Sequence, residues 1–221
     1  MHQGHRQRLK DRFLNEGLDG FEDHQILELL LFFAIPYKDT NELAHSLLKR
    51  YGSLSAVFEA DAHDLMTVPG IGPNSAVLLS LIPHLSRIYF KDKWGDKPQL
   101  NTSTKAGEYT IALLAGRMYE VFYVICLDAQ NRVNHAALVH EGTIDQAPIY
   151  PRLIVETALR HKSNSVILAH NHPGGSLNPS TADIEATKVI KNALGAISIN
   201  VVDHVIVAGD RYFSFADAGL I

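Results

Sequence analysis

The chain has 221 residues, of which 46% are hydrophobic and 20% charged, a balance that suits one or two folded domains and excludes general disorder. Its single cysteine, Cys126, excludes both a disulfide framework and a thiolate zinc cluster, so any zinc would need imidazole and carboxylate ligands. A formal net charge of -4 speaks against nucleic-acid binding by bulk electrostatics, whereas twelve histidines supply the commonest class of metal ligand.

The amino-terminal stretch MHQGHRQRLKDRF turns charged at once, unlike a secretory signal. The longest apolar run, ILELLLFFAI, is too short for a membrane span and carries Glu28. A cytoplasmic protein with no membrane partner is expected. Apolar positions three and four apart in DHQILELLLFF, NELAHSLLKRY and PNSAVLLSLIPHLSRIY predict a helical first part. The polar stretch KDKWGDKPQLNTSTKAGEY then reads as a connection, which places a helical domain over residues 1–93, a linker over 94–100 and a second domain over 101–221. In that second domain the runs VFYVICL, HAALVH, SVILAH and INVVDHVIVAG predict strands. YPRLIVETALRHK and STADIEATKVIKNAL predict helices packed on their sheet, and RYFSFADAGLI predicts an edge strand and a short tail.

Within the helical part, LMTVPGIGPNSAVLLSL sets a Gly-x-Gly turn between two helical runs. Gly70 and Gly72 permit a tight turn whose backbone N–H groups could receive a phosphate, and the pattern resembles the helix-hairpin-helix motif of DNA repair proteins. FFAIPYKDTNELAHSLL could be a degenerate partner hairpin. The same hairpin could equally serve only to pack helices. No basic residue flanks it, acidic residues outnumber basic ones over residues 1–97, and the one concentrated basic patch is Arg6, Arg8, Lys10 and Arg12.

The most informative stretch is HNHPGGSLNPSTAD, residues 170–183. On a strand ending near His170, side chains two apart face the same way, so His170 and His172 can converge on one point. Pro173, Gly174 and Gly175 end the strand, and a helix begins near Ser180 with Asp183 in its first turn. Two imidazoles and a carboxylate form a three-ligand set with a fourth position open, as zinc hydrolases keep for water, although the same donors suit other divalent ions. Ser180 and Asp183 also fit a capping box, and a lone His-x-His carries little weight by itself. Their juxtaposition carries the argument, because capping does not explain the histidines upstream.

His170-x-His172, seven residues and Ser180-x-x-Asp183 together resemble the JAMM signature of the MPN metalloproteases. HNHP, the PS-x-x-DI segment and a later Asp-His on an apolar strand are similar to the bacterial RadC branch, and GHRQRLKDRFL with VPGIGPNSA extends that resemblance over the first half. The resemblance implies an α+β protein: an all-α helix-hairpin-helix domain followed by an MPN domain with a mixed sheet, of cytidine-deaminase-like architecture. It implies that His170, His172 and Asp183 bind Zn2+, that Glu120 is the general acid/base and that Ser180 steadies an oxyanion. By the residues alone Glu120 could be a solvated strand start, and Glu141 and Glu156 are further carboxylates that could reach the metal. The resemblance selects Glu120. Leu153 stands where many RadC-like chains have Glu, and Asp203 and His204 match a RadC pattern outside the metal set.

The function expected from these features is zinc-dependent hydrolysis of an amide bond in a peptide or protein substrate. The alternative is a DNA-associated repair or recombination accessory protein whose MPN half acts on nucleic acid or is a metal-bound scaffold. A third reading, an interaction protein without metal, is opposed by the intact signature. A deaminase is opposed by the absence of a Pro-Cys-x-x-Cys ligand pair.

Overall fold

The computed structural model describes residues 2–142 and 151–221 and divides into two compact units, Met1–Leu85 and Ser86–Ile221. The first unit is helical. It contains α1 (His2–Glu16), α2 (Asp23–Ala34), α3 (Asn41–Tyr51), α4 (Leu54–Glu59) and α5 (Ala62–Leu65), and α6 (Pro73–Trp94) begins in it and runs past the division.

Local chemistry sets the helix ends. Glu22 and Gln25 form a reciprocal capping box that starts α2, Gly52 closes α3 in the left-handed conformation at φ 89°, and Ser53 and Asp61 cap α4 and α5 with side-chain oxygens. Apolar faces from α2 to α6 meet in a core that includes Leu27, Leu31, Leu47, Val57, Leu65 and Leu79. One charge lies inside this packing: Glu28 is 1% exposed, and it accepts hydrogen bonds from Asn41 Nδ2 at 3.1 Å and from His5 Nε2 at 3.0 Å when that nitrogen is protonated.

The second unit is a five-stranded mixed sheet in the order β2-β1-β3-β4-β5, built from β1 (Val121–Leu127), β2 (Val133–Glu141), β3 (Ser165–Asn171), β4 (Asn200–Ala208) and β5 (Arg211–Ser214). β3 and β4 are parallel, joined through the crossover helix α9 (Thr181–Gly195), and the other pairs are antiparallel. β1 and β3 are buried along their whole length, which is why both read as continuous apolar runs. Alternation splits their side chains between two cores. Tyr123, Ile125, Leu127, Ile167 and Ala169 belong to one, with Ala106 and Leu114 of the helix α7 (Ser103–Leu114). Phe122, Val124, Val166 and Leu168 belong to the other, with Ile154 and Ala158 of α8 (Pro151–Arg160) and Ile190 and Leu194 of α9. The chain is thus an α+β protein, as expected.

Two features depart from the sequence expectation. Helix α7 forms where the polar sequence predicts the end of a connection. Thr102 caps it by accepting from Lys105 N at 3.2 Å, and its buried face includes Ala106, Gly107, Thr110 and Ala112, residues too small to give a strong apolar period. Within 94–100, Gln99 forms an isolated bridge with Arg132 and Leu100 is 4% exposed in the sheet core. Antiparallel pairing of β1 with β3 runs as far as Phe122 and His170. At the next position Asn171 takes over with its side chain: Oδ1 accepts from Val121 N at 2.9 Å, and Nδ2 donates to Tyr119 O at 3.0 Å and Arg117 O at 3.3 Å. One amide therefore holds the backbone on both sides of Glu120.

Trp94, the sole tryptophan, lies edge-on to Tyr109 at 5.7 Å, so its fluorescence reports the unfolding of the second unit. Asn171→Leu leaves the buried Val121 N–H without its acceptor, and the urea midpoint read at Trp94 should fall by the equivalent of about 1–3 kcal/mol. Leu168→Ala, at a fully buried position of the central strand, should cost about 2–5 kcal/mol by the same measurement with little change in slope.

Candidate metal centre

The site lies at the carboxyl end of β3, where open sheets with parallel strands present ligand-binding groups. His170 shares the α9 side of the sheet with Val166 and Leu168 and is fully buried. His172 follows beyond the strand end but keeps the extended course by donating its backbone N–H to Val207 O at 2.8 Å. The period of two then brings the rings together, with His170 Nε2 2.9 Å from His172 Nε2 and the planes inclined at 66°. Asp183 enters from the first turn of α9, Oδ1 lying 3.2 Å from His170 Nε2 and Oδ2 3.6 Å from His172 Nε2. Glu120, half-buried immediately before β1, completes the cluster: ligand atoms of Glu120, His170 and His172 lie within 4.8 Å of one another.

Hydrogen bonds behind the rings orient them. His172 Nδ1 is 2.8 Å from Ser176 O, a carbonyl that can only accept, so Nδ1 carries the proton and the Nε2 lone pair faces the cluster. His170 Nδ1 is 2.8 Å from His204 Nε2, and His204 Nδ1 is 2.6 Å from Thr187 Oγ1. At the cluster itself, two Nε2 lone pairs 2.9 Å apart would repel unless a cation or proton lay between them. The donor set, imidazole nitrogen and carboxylate oxygen at one point, fits a divalent metal of intermediate softness. Charges follow the same geometry. Burial pushes the Asp183 carboxyl up, but the His170 and His172 imidazoles outweigh it and hold the group well below the usual carboxylate range. Asp183 raises the His172 imidazole above its ordinary value against the effect of burial. Burial drives His204 the other way, well below the ordinary value, which favours the uncharged ring.

Ser180 and Asp183 form the capping box in full. Ser180 Oγ accepts from Asp183 N at 3.1 Å, and Asp183 Oδ2 accepts from Ser180 N at 2.7 Å. The Ser180 hydroxyl also donates to Asp183 Oδ2 at 2.8 Å, so stabilising an oxyanion would require that hydrogen to turn away from Asp183. The capping and ligand readings of Asp183 are thus compatible, since one carboxylate caps α9 and faces both histidines. Of the other carboxylates weighed from sequence, Glu156 pairs with Arg152 at 2.8 Å and Glu141 lies at the end of β2, 3.4 Å from Tyr119 OH. Leu153 is 44% exposed in the first turn of α8. Asp203 accepts from Ser214 Oγ, Ala216 N and His204 N and braces the strand.

The hairpin glycines lie in the other unit, where α5 spans only four residues, Gly70 turns at φ 99° and α6 begins at Pro73. A side chain at Gly70 would meet Leu43, whereas one at Gly72 would meet nothing. The sequence points to the cluster residues and to His204 as a residue outside the metal set that could support it, but to neither Asn171 nor Thr187. The only signals for these two were a polar residue between two candidate ligands and a threonine one turn beyond Asp183.

Residues 100–220 match the family model described as a RadC-like JAB domain, and residues 2–77 match that described as UPF0758 N-terminal. A UPF0758 protein of Fusobacterium nucleatum subsp. nucleatum is 38% identical over 226 residues, an alignment covering 99% of this chain and 97% of that protein. A carboxyl-terminal JAB domain with paired histidines at the end of a buried strand, an amino-terminal helical unit and a relative matched over nearly its full length lead to one conclusion: the chain belongs to the RadC family.

Proposed function

We propose that this protein is a zinc-dependent hydrolase of the JAMM type that cleaves an amide bond, peptide or isopeptide, in a peptide or protein substrate. The observation that carries the proposal is the convergence of His170 Nε2, His172 Nε2 and the Asp183 carboxylate on one point with Glu120 beside it. His170, His172 and Asp183 would hold the ion, and when bound it supplies Lewis acidity, lowering the pKa of water and polarising a carbonyl. Glu120 is then placed to take a proton from the attacking water and return it to the leaving nitrogen, work that suits a carboxylate outside the ligand set. The Ser180 hydroxyl can turn from Asp183 to donate to the oxygen that gains charge in the transition state. Asn171 holds the backbone at Tyr119 and Val121, which keeps Glu120 at this edge of the cluster.

The DNA-associated alternative has little positive charge to draw on. Arg6 donates to the carbonyls of Phe32, Ile35, Pro36 and Lys38 at the end of α2, Lys10 lies over the Phe33 ring, and Arg12 bonds Gly20 O and pairs with Glu16. Most of the one basic patch is therefore engaged within the helical unit. Among the described residues no helix is long and apolar enough to cross a membrane.

Elemental analysis of untagged protein tests the proposal. Stoichiometric zinc is expected in the native chain, lost in His172→Ala and retained in Glu120→Gln. Absence of zinc from the native protein would overturn the reading, and zinc loss in Glu120→Gln would make Glu120 a ligand. With a cleavable peptide in hand, Glu120→Gln should lower kcat by about 10²–10⁴-fold at unchanged zinc content. Ser180→Ala should lower it by about 10²–10³-fold.

A further inference from the structure

We infer that Thr187 and His204 form a buried relay that fixes the ring tautomer of His170 and thereby sets how tightly the site holds its metal, although neither residue belongs to the ligand cluster. The inference rests on the metal-site reading and extends it to two residues with no assigned task.

Each hydrogen in the relay is determined by the one before it. Thr187 Oγ1 lies 2.6 Å from Asp183 O, and a carbonyl only accepts, so the single hydroxyl hydrogen of Thr187 points there. That leaves Thr187 Oγ1 to accept from His204 Nδ1 at 2.6 Å, so His204 carries its proton on Nδ1 and has a lone pair on Nε2. Facing that lone pair at 2.8 Å, His170 Nδ1 must be the donor. His170 is then the tautomer with Nδ1–H and with its Nε2 lone pair turned to His172 and Asp183.

The relay is closed to solvent and rigid. Thr187 is 1% exposed and His170 and His204 are fully buried, so the relay is shielded from bulk water. The His204 ring is stacked on Phe215 at 4.6 Å and lies edge-on to Phe122 at 5.5 Å. Its backbone N–H donates to Asp203 Oδ1 at 2.7 Å, and its carbonyl accepts from Phe215 N at 3.0 Å. Metal-binding histidines commonly donate their second N–H to a carboxylate, a carbonyl or water. Here a histidine takes that place, and because an imidazole can present either a donor or an acceptor, Thr187 is required to hold it as the acceptor. The relay begins and ends on the site: Asp183 supplies both the terminal carbonyl and the carboxylate facing His170.

The experiment has two readouts on the full chain. Long-range nitrogen–proton NMR of the histidine rings should show His170 protonated on Nδ1 in metal-free protein, whichever Nε2 atom carries the proton shared within the cluster, and protonated on Nδ1 alone once zinc is bound. In Thr187→Val, which removes the acceptor but keeps the volume, His204 should shift its proton to Nε2 and His170 should populate the opposite tautomer. Zinc affinity from chelator competition should fall by about 10-fold or more in Thr187→Val and His204→Phe, and Thr187→Ser, which restores the hydroxyl, should recover most of it. A native His170 without a proton on Nδ1, or a Thr187→Val protein that binds zinc as tightly as the native chain, would overturn the relay. The serine variant keeps the test decisive if His204→Phe does not fold, because a packing defect would not be repaired by a smaller side chain bearing a hydroxyl. If the native chain took up no zinc, the metal-site reading would fail, while the ring-nitrogen shifts would still decide the relay.

Discussion

The second unit depends at its centre on one buried carboxylate that serves two structures at once. Asp183, 1% exposed, accepts from the Ser180 backbone and hydroxyl as the first-turn member of a helix cap, and it faces the ring nitrogens of His170 and His172. A carboxylate out of water is costly unless its lone pairs are answered, and here the helix start answers one oxygen while the other faces the histidine cluster, where a cation or proton would answer it. The start of α9 is therefore tied to the end of β3, and the crossover between two parallel strands becomes part of the site.

The rest of the architecture sets what surrounds that carboxylate. Strand alternation puts His170 on the α9 side of the sheet, where Phe122 stacks 5.8 Å from its ring, and sends Asn171 to the opposite side to hold the approach to β1. Polar groups behind the rings do as much as those in front. The Ser176 carbonyl orients His172, and the Thr187–His204 pair orients His170, so both imidazoles present lone pairs to the same point. A preorganised arrangement of this kind binds a cation without first turning rings or displacing protons, which lowers the cost of filling the site.

The helical unit is organised on a different principle. Its basic first helix is occupied with its own neighbours, with Arg6 at the carbonyl end of α2 and Arg12 at Gly20, and Glu28 is buried between His5 and Asn41. Three of the four charges in the concentrated basic patch thus contact neighbouring carbonyls and rings, and a patch defined by spacing along one helix says nothing about the groups that meet it.

The sequence by itself determined the elements with strong local signals. These were the apolar runs of β1 and β3, the capping box that opens α9, and the alternation that puts two histidines on one side of a strand. It did not disclose α7, whose buried face is mostly alanine, glycine and threonine, with Leu114 at its end, and so gives a weak period. Glu120 was reached through family resemblance, because its nearness to His170 comes from pairing between strands some fifty residues apart in the chain. The tertiary structure alone decided which nitrogen of each imidazole faces the cluster, what holds the backbone around Glu120, and that a threonine and a third histidine stand behind His170. The physical reason is that hydrogen-bond direction belongs to a pair of groups in space, and a residue's type and spacing state only what it can donate or accept.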